Sequence, residues 1–242
     1  MASQRSRSAA AVWPWLAVGA VCVAAGAGIW LGPGILNTRA GGDSPFLLQR
    51  AFELAAALRA GQFPARWMAD AAFGLGYPFF HFYAALPYYL AALLDLLGFD
   101  LLTAIKLTQT AGLLAAGWGM LLYARTVLPR PGAALAAIAY TLAPFHLVNV
   151  YVRGDSLSEF YAFVWYPLIL WAVDRVVRRE GRRLADILVL AGFAAALIVT
   201  HQVSALLFAP MAALYALGRL AWRAAAAKRV APAGRAAGAL AL

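Results

Sequence analysis

No charged residue occurs between Arg7 and Arg39, so Ser8–Thr38 forms an uncharged run of 31 residues. A helix rises about 1.5 Å per residue, and about 20 apolar residues cross the hydrocarbon core of a bilayer. The basic start (Arg5, Arg7) would also suit a signal peptide. The run is longer than an h-region of about 7–15 residues and lacks a clear A-x-A cleavage site, so a retained span over 12–33 is predicted. Further apolar stretches cover 81–97, 101–124, 131–152, 156–173 and 187–218. The last is 32 residues long and is broken by Thr200-His201-Gln202, which predicts two short spans meeting at His201. The chain is 64% hydrophobic and 12% charged, with a mean hydropathy of +0.74. An ordinary globular domain is about 45–50% apolar and about 25% charged, so a soluble domain is excluded.

Twenty Lys and Arg against ten Asp and Glu leave a net charge of +10. Such a balance would suit nucleic acid, but the basic residues fall in short blocks between apolar runs, a topology signature and not a phosphate-binding face. The stretch 81–97 decides the topology. If it does not cross, one side of the membrane holds 14 of the 20 basic residues, including Arg125, Arg130, Arg175–Arg183 and the tail. The positive-inside rule favours that arrangement, and Pro87 and Asp95 fit a re-entrant or interfacial segment. The predicted fold class is therefore an all-α polytopic membrane protein with about six transmembrane helices and an interfacial or re-entrant helical outer loop. Both ends would be cytoplasmic. One module spans 1–223 with outer loop 34–80, and the Ala-rich basic tail 224–242 reads as the start of further spans. The single cysteine, Cys22, excludes disulfide frameworks and Cys-rich zinc sites and is expected to be lipid-facing filler.

On the outer side, loop 34–80 is too long for a connector. Gly41-Gly42-Asp43-Ser44-Pro45 predicts a turn and a helix start, with Ser44 as N-cap. Residues 46–60 then form an amphipathic helix. Leu47, Leu48, Ala51, Leu54, Ala55 and Leu58 lie on one face, and Gln49, Arg50 and Glu53 on the other. Asp43 is thereby held at the lipid–water boundary, as a functional carboxylate or as a turn and capping residue. The segment Phe73-Gly74-Leu75-Gly76-Tyr77-Pro78-Phe79-Phe80-His81-Phe82-Tyr83 combines turn-forming glycines with rings that suit a sugar, an acyl chain or an interfacial aromatic belt. A second outer segment, Arg153-Gly154-Asp155-Ser156-Leu157-Ser158-Glu159, offers either a helix cap or a phosphate-binding Arg beside acids able to orient a hydroxyl or bind a cation. His146, Asn149, His201 and Gln202 lie near the same edge, as polar helix–helix contacts or as chemistry.

These features together resemble the amino-terminal module of GT-C membrane glycosyltransferases. Gly42-Asp43-Ser44-Pro45-Phe46, Gly76-Tyr77-Pro78-Phe79-Phe80-His81-Phe82-Tyr83 and Leu86-Pro87-Tyr88-Tyr89 are most similar to bacterial members described as 6-pyruvoyl-tetrahydropterin synthase-related membrane proteins. Nothing in the chain looks like a pterin enzyme. Arg153-Gly154-Asp155 with Glu159 occupies the place of the second acidic motif. The resemblance covers most of residues 10–220. Family members continue through further spans, so parts of the donor site are expected to lie beyond this chain.

The resemblance implies glycosyl transfer from a polyprenyl-phosphate sugar to a glycan, lipid or protein acceptor on the extracytoplasmic face of a bacterial inner membrane, with no nucleic-acid partner. Asp43, Asp155 and Glu159 are the implied catalytic residues. Arg153, Arg50, Arg66, Tyr77, His81, Tyr83 and His201 are implied in substrate binding. A divalent cation, Mg or Mn, would be held by Asp43 and Asp155 if one is used. The rival classes are a lipid or small-molecule transporter, which favours ionisable groups at the midplane, and a non-catalytic assembly subunit whose acids are caps.

Overall fold

The computed structural model describes residues 2–35, 44–153, 156–178 and 183–239. Among them all regular structure is helical, apart from one isolated antiparallel bridge between Met68 and Tyr77. The helices are α1 (Ala2–Trp30), α2 (Ser44–Arg59), α3 (Ala71–Gly74), α4 (Phe79–Phe82), α5 (Leu86–Leu96), α6 (Leu101–Ala124), α7 (Arg130–Thr141), α8 (Pro144–Tyr151), α9 (Leu157–Arg178), α10 (Arg183–Thr200) and α11 (Gln202–Ala239). Three stretches are long and apolar enough to cross a membrane: Ala11–Trp30, Leu157–Arg178 and Gln202–Ala226. A fourth arises if α7 and α8, bent by 41°, form one broken span. The bend has a local cause, because Pro144 lacks the N–H that would continue the helix and its ring crowds the preceding turn.

Helix α6 is the axis of the bundle, packing against α1, α5, α7 and α9. This position explains its composition. It has the length of a span, 24 residues, yet carries Lys106, Gln109 and three threonines, because most of its circumference meets protein and not lipid. Small residues let its neighbours close in. A Cβ on Gly112 would stand 2.5 Å from the Phe160 ring, and one on Gly117 2.6 Å from the sulfur of Cys22. Cys22 is thus no lipid-facing filler: it is fully buried, with its thiol 3.6 Å from the Thr141 hydroxyl. Lys106 is buried near one end of α6, where its ammonium donates to the Gly32 carbonyl (2.6 Å) and lies 5.9 Å from the Trp30 ring centroid.

Contacts along the bundle separate two ends. At one, Arg125 lies over Trp15, and Asp174, Arg175, Arg178, Asp186, Arg219 and Arg223 gather from α9, α10 and α11. At the other, Trp30 and Lys106 meet, and α2 to α5 cover that end. The helix α5, with 11 residues, is about 16 Å long and is too short to cross. It packs against α2 and α6.

Helix α2 buries Leu47, Ala51, Leu54 and Ala55, as its apolar periodicity predicts. Glu53 differs from expectation. It does not face water: it is 5% exposed and accepts hydrogen bonds from the Gln49 amide and the Asp70 backbone N–H, both at 3.0 Å. The chain after α2 folds back over that face, so a carboxylate that periodicity assigns to water serves instead as the anchor of the returning loop. α10 and α11 both pack on α9 and meet at His201. α11 continues well beyond a short span, to Ala239.

Candidate functional site

The segment that returns from α2 is shaped by backbone that only certain residues accept. Gly74 and Gly76 have φ of +85° and +82°, in the left-handed region that glycine enters without a Cβ penalty. At Gly76 a Cβ would also meet the Trp67 indole at 2.4 Å. The bridge between Met68 and Tyr77, with N–H···O distances of 2.8 and 2.9 Å, closes this loop. Tyr89 on α5 ties it down, its hydroxyl accepting from the Ala65 N–H at 3.0 Å while its ring meets Phe63 edge-on at 5.9 Å. Phe63, Phe73, Leu75 and Phe82 remain strongly exposed along the loop. That is an apolar rim at the end of a membrane bundle, where aromatic rings favour the headgroup zone.

Between this loop and the junction of α10 with α11 lies a cleft of about 600 Å³. Arg66, His81 and Tyr83 line it from the loop side, with Phe63, Phe80 and Tyr89. Ile198, Val199 and Gln202 line it from the other. Residues about 120 positions apart in sequence thus face one space. The Tyr83 ring stacks on Phe79 with centroids 4.7 Å apart and meets His201 edge-on at 6.5 Å. Arg50 reaches the same stack from α2: its guanidinium is 4.4 Å from the Phe79 centroid and donates to the Tyr88 hydroxyl at 3.2 Å.

His201 is half-buried, and its Nδ1 lies 2.7 Å from the Ser204 hydroxyl. Burial pushes its imidazole below the usual histidine pKa; the charge of Glu159 opposes that shift and the charge of Arg153 adds to it. Arg153 forms an ion pair with Glu159 and donates to the Asn149 side-chain carbonyl at 3.1 Å. Both contacts use one guanidinium nitrogen. The group is 47% exposed, so the rest of its donor fork faces outward.

The candidates therefore divide. Arg66, His81 and Tyr83 share the cleft, His201 touches it through Tyr83, and Arg50 lies behind the aromatic stack. Arg153 and Glu159 form a neighbouring pair whose charges reach His201. Tyr77 is in the bridge, its ring 6.5 Å from Phe79, and does not line the cleft. Asp43 and Asp155 lie outside the described residues, so their expected convergence does as well. Among the described residues no group of three His, Cys, Asp or Glu side chains could hold a metal ion, and Glu159 is already engaged by Arg153. His146 is fully buried, stacked between Phe160 and Phe163 at 5.0 and 4.7 Å, with neither ring nitrogen hydrogen-bonded. It is a packed core residue, not a ligand on the cleft.

Sequence reasoning did not single out Phe63, and it took Tyr89 only as the last member of the motif Leu86-Pro87-Tyr88-Tyr89, with no role at the site. The i, i+3 spacing of Leu86 and Tyr89 on a short helix was the available signal; it needs the partner loop to acquire meaning.

Fold and composition define a helical membrane protein with a largely apolar, aromatic-lined cleft at one end of the bundle, into which Arg66, His81 and Gln202 bring polar groups. No protein-family model, curated protein or solved structure matches the chain.

Proposed function

We propose that this chain is the amino-terminal membrane module of a GT-C-type glycosyltransferase, transferring a sugar from a polyprenyl-phosphate donor to an acceptor outside a bacterial inner membrane. In this reading six segments cross: α1, α6, the bent pair α7–α8, α9, α10 and α11. Both ends are cytoplasmic. The observation that carries the proposal is the cleft, in which Arg66, His81 and Tyr83 face the α10–α11 junction beneath an exposed aromatic rim. A lipid-linked phosphate sits at the boundary between apolar chain and water, and that boundary is where a guanidinium, a histidine and sugar-stacking rings are useful together.

The mechanism assigns Asp43 the acceptor hydroxyl proton and Arg66 the departing phosphate, through charge-assisted hydrogen bonds. Arg66 is better placed than the other arginines, because it is exposed on the cleft while Arg50 is held by rings and Arg153 by Glu159. Among the described residues no three His, Cys, Asp or Glu side chains form a cation site.

The test is glycosyl release from a radiolabelled polyprenyl-phosphate sugar by the full-length gene product and its Asp43→Asn variant. A general base contributes about 10²–10⁴-fold, and Asn cannot take the proton, so transfer should fall by that factor with expression unchanged. A capping Asp predicts almost no effect, because Asn caps about as well. Asp70→Asn is the control: Asp70 precedes α3 without a side-chain cap bond, and its backbone, not its carboxylate, is what Glu53 holds. Wild-type turnover by Asp43→Asn would remove Asp43 from the mechanism.

A further inference from the structure

The arginine-rich end of the bundle, opposite the cleft, carries a second built environment. A largely polar cavity of about 290 Å³ lies between α9, α10 and the turn after α6. Asp174, 1% exposed, is its fixed point, accepting from the Thr126 and Tyr215 hydroxyls at 3.0 Å each and from Arg219 at 2.6 Å. Arg178 lies 3.8 Å from the same carboxylate and donates to the Thr126 carbonyl at 3.1 Å. Arg175 pairs with buried Asp186 at 2.6 Å and lies 4.8 Å from the Trp171 ring centroid. The two carboxylates are sealed inside, whereas Arg175 and Arg178 stay 47% and 37% exposed. Among the described residues these three arginines face two acids, which leaves one excess positive charge, with guanidinium donors unused by the internal pairs.

An apolar groove of about 340 Å³ runs between α9, α10 and α11, and some of its lining residues neighbour those of the cavity in sequence. Val173 in the groove adjoins Asp174, Leu190 lies one helical turn from Asp186, and Ala216 lies nearly a turn from Arg219. Alanines on α11, Ala212 among them, make the groove by leaving room where larger side chains would fill it.

We propose that this composite is a binding site for an anionic phospholipid in the leaflet at the arginine-rich end, its phosphate held by Arg175 and Arg178 and one acyl chain lying in the groove against α11. The join of the two features selects an amphiphile. A free phosphate would have no use for the groove, and a zwitterionic lipid would gain little from the excess charge. Basic pockets between membrane helices on the positively charged side are suited to such headgroups. The site does not depend on glycosyl transfer.

The experiment uses the full chain in nonionic detergent and follows its unfolding temperature against dioctanoyl phosphatidylglycerol, dioctanoyl phosphatidylcholine and inorganic phosphate. Phosphatidylglycerol should raise it saturably and the other two should not. Arg178→Gln, which leaves the closer Asp174 pairs intact, should raise the half-maximal lipid concentration about tenfold, the loss expected for one charge-assisted bond. Ala212→Phe fills the groove without touching an arginine and should weaken the same response, which keeps the proposal testable if Arg178→Gln fails to fold. Equal shifts with phosphatidylcholine, an equal shift with inorganic phosphate, or an unchanged response in Ala212→Phe would each overturn it. So would conversion of a dimer to a monomer by Ala212→Phe with the lipid response intact, because the groove would then hold a second copy of the chain.

Discussion

His201 stands at the break between α10 and α11, half-buried, with the Tyr83 ring at its edge and the Ser204 hydroxyl on its Nδ1. Its folded pKa lies below the ordinary value of 6.5 because burial, and secondarily Arg153, disfavour the imidazolium more than Glu159 favours it. The unfolded chain therefore binds more protons in the window between the depressed folded pKa and 6.5, and stability rises with pH there. The contribution is complete above pH 6.5 and is lost as pH falls through that value toward the folded pKa. Unfolding temperatures in detergent from pH 7 down to pH 5 should decline more steeply for the wild type than for His201→Gln, which has nothing to protonate. Parallel curves would show that His201 titrates as in the unfolded chain. The sequence indicated that His201 lay at a break between apolar runs. It did not indicate the tyrosine beside it, which arrives from a loop more than a hundred residues earlier.

At the scale of helices, the close approach of α6 and α9 rests on Gly112. A Cβ there would meet Phe160 at 2.5 Å and Tyr161 at 2.9 Å, and Phe160 has little room to turn because it is buried and stacked on His146. Alanine favours the helix by about 1 kcal/mol over glycine, whereas overpacking a core costs about 1–3 kcal/mol. Gly112→Ala should therefore destabilise the protein by up to about 2 kcal/mol, measured by unfolding in detergent. Gly192 on α10 is the matched contrast. Nothing lies within 4 Å of its would-be Cβ, so Gly192→Ala should be neutral or stabilising by about 0.5–1 kcal/mol. Both glycines look alike in the sequence, one in each of two apolar helices, and only the neighbouring helix distinguishes them. Glu53 teaches the same lesson with the opposite sign. Its helix was legible from the spacing of Leu47, Ala51, Leu54 and Ala55, but the loop that buries its polar face was not.

Across the whole molecule charge is segregated. Arg125, Arg175, Arg178, Arg219 and Arg223 gather at one end with Asp174 and Asp186 the only acids among their described partners, while Glu53, Asp95 and Glu159 lie at the end that carries the cleft. In the proposed topology the positive-inside rule predicts a cytoplasmic arginine-rich end. Cysteines substituted at Gly61 and Gly181, in a Cys22→Ala background, should therefore label differently with an impermeant thiol reagent in spheroplasts. Position 61 should react and position 181 should not; the reverse pattern would invert the topology. The sequence by itself determined that the chain is helical and membrane-embedded, where its apolar runs lie and which segments share an end, because hydropathy and charge act over whole stretches and need no partner. Tertiary structure decided what individual side chains do. It placed Cys22 and Glu53 inside, gave His146 to an aromatic stack, occupied Arg153 with Glu159, and brought Arg66, His81 and Tyr83 to face Gln202. The physical reason is that burial, ion pairing and a cleft are properties of two surfaces meeting, and each of these contacts joins segments whose own periodicity holds no record of the other.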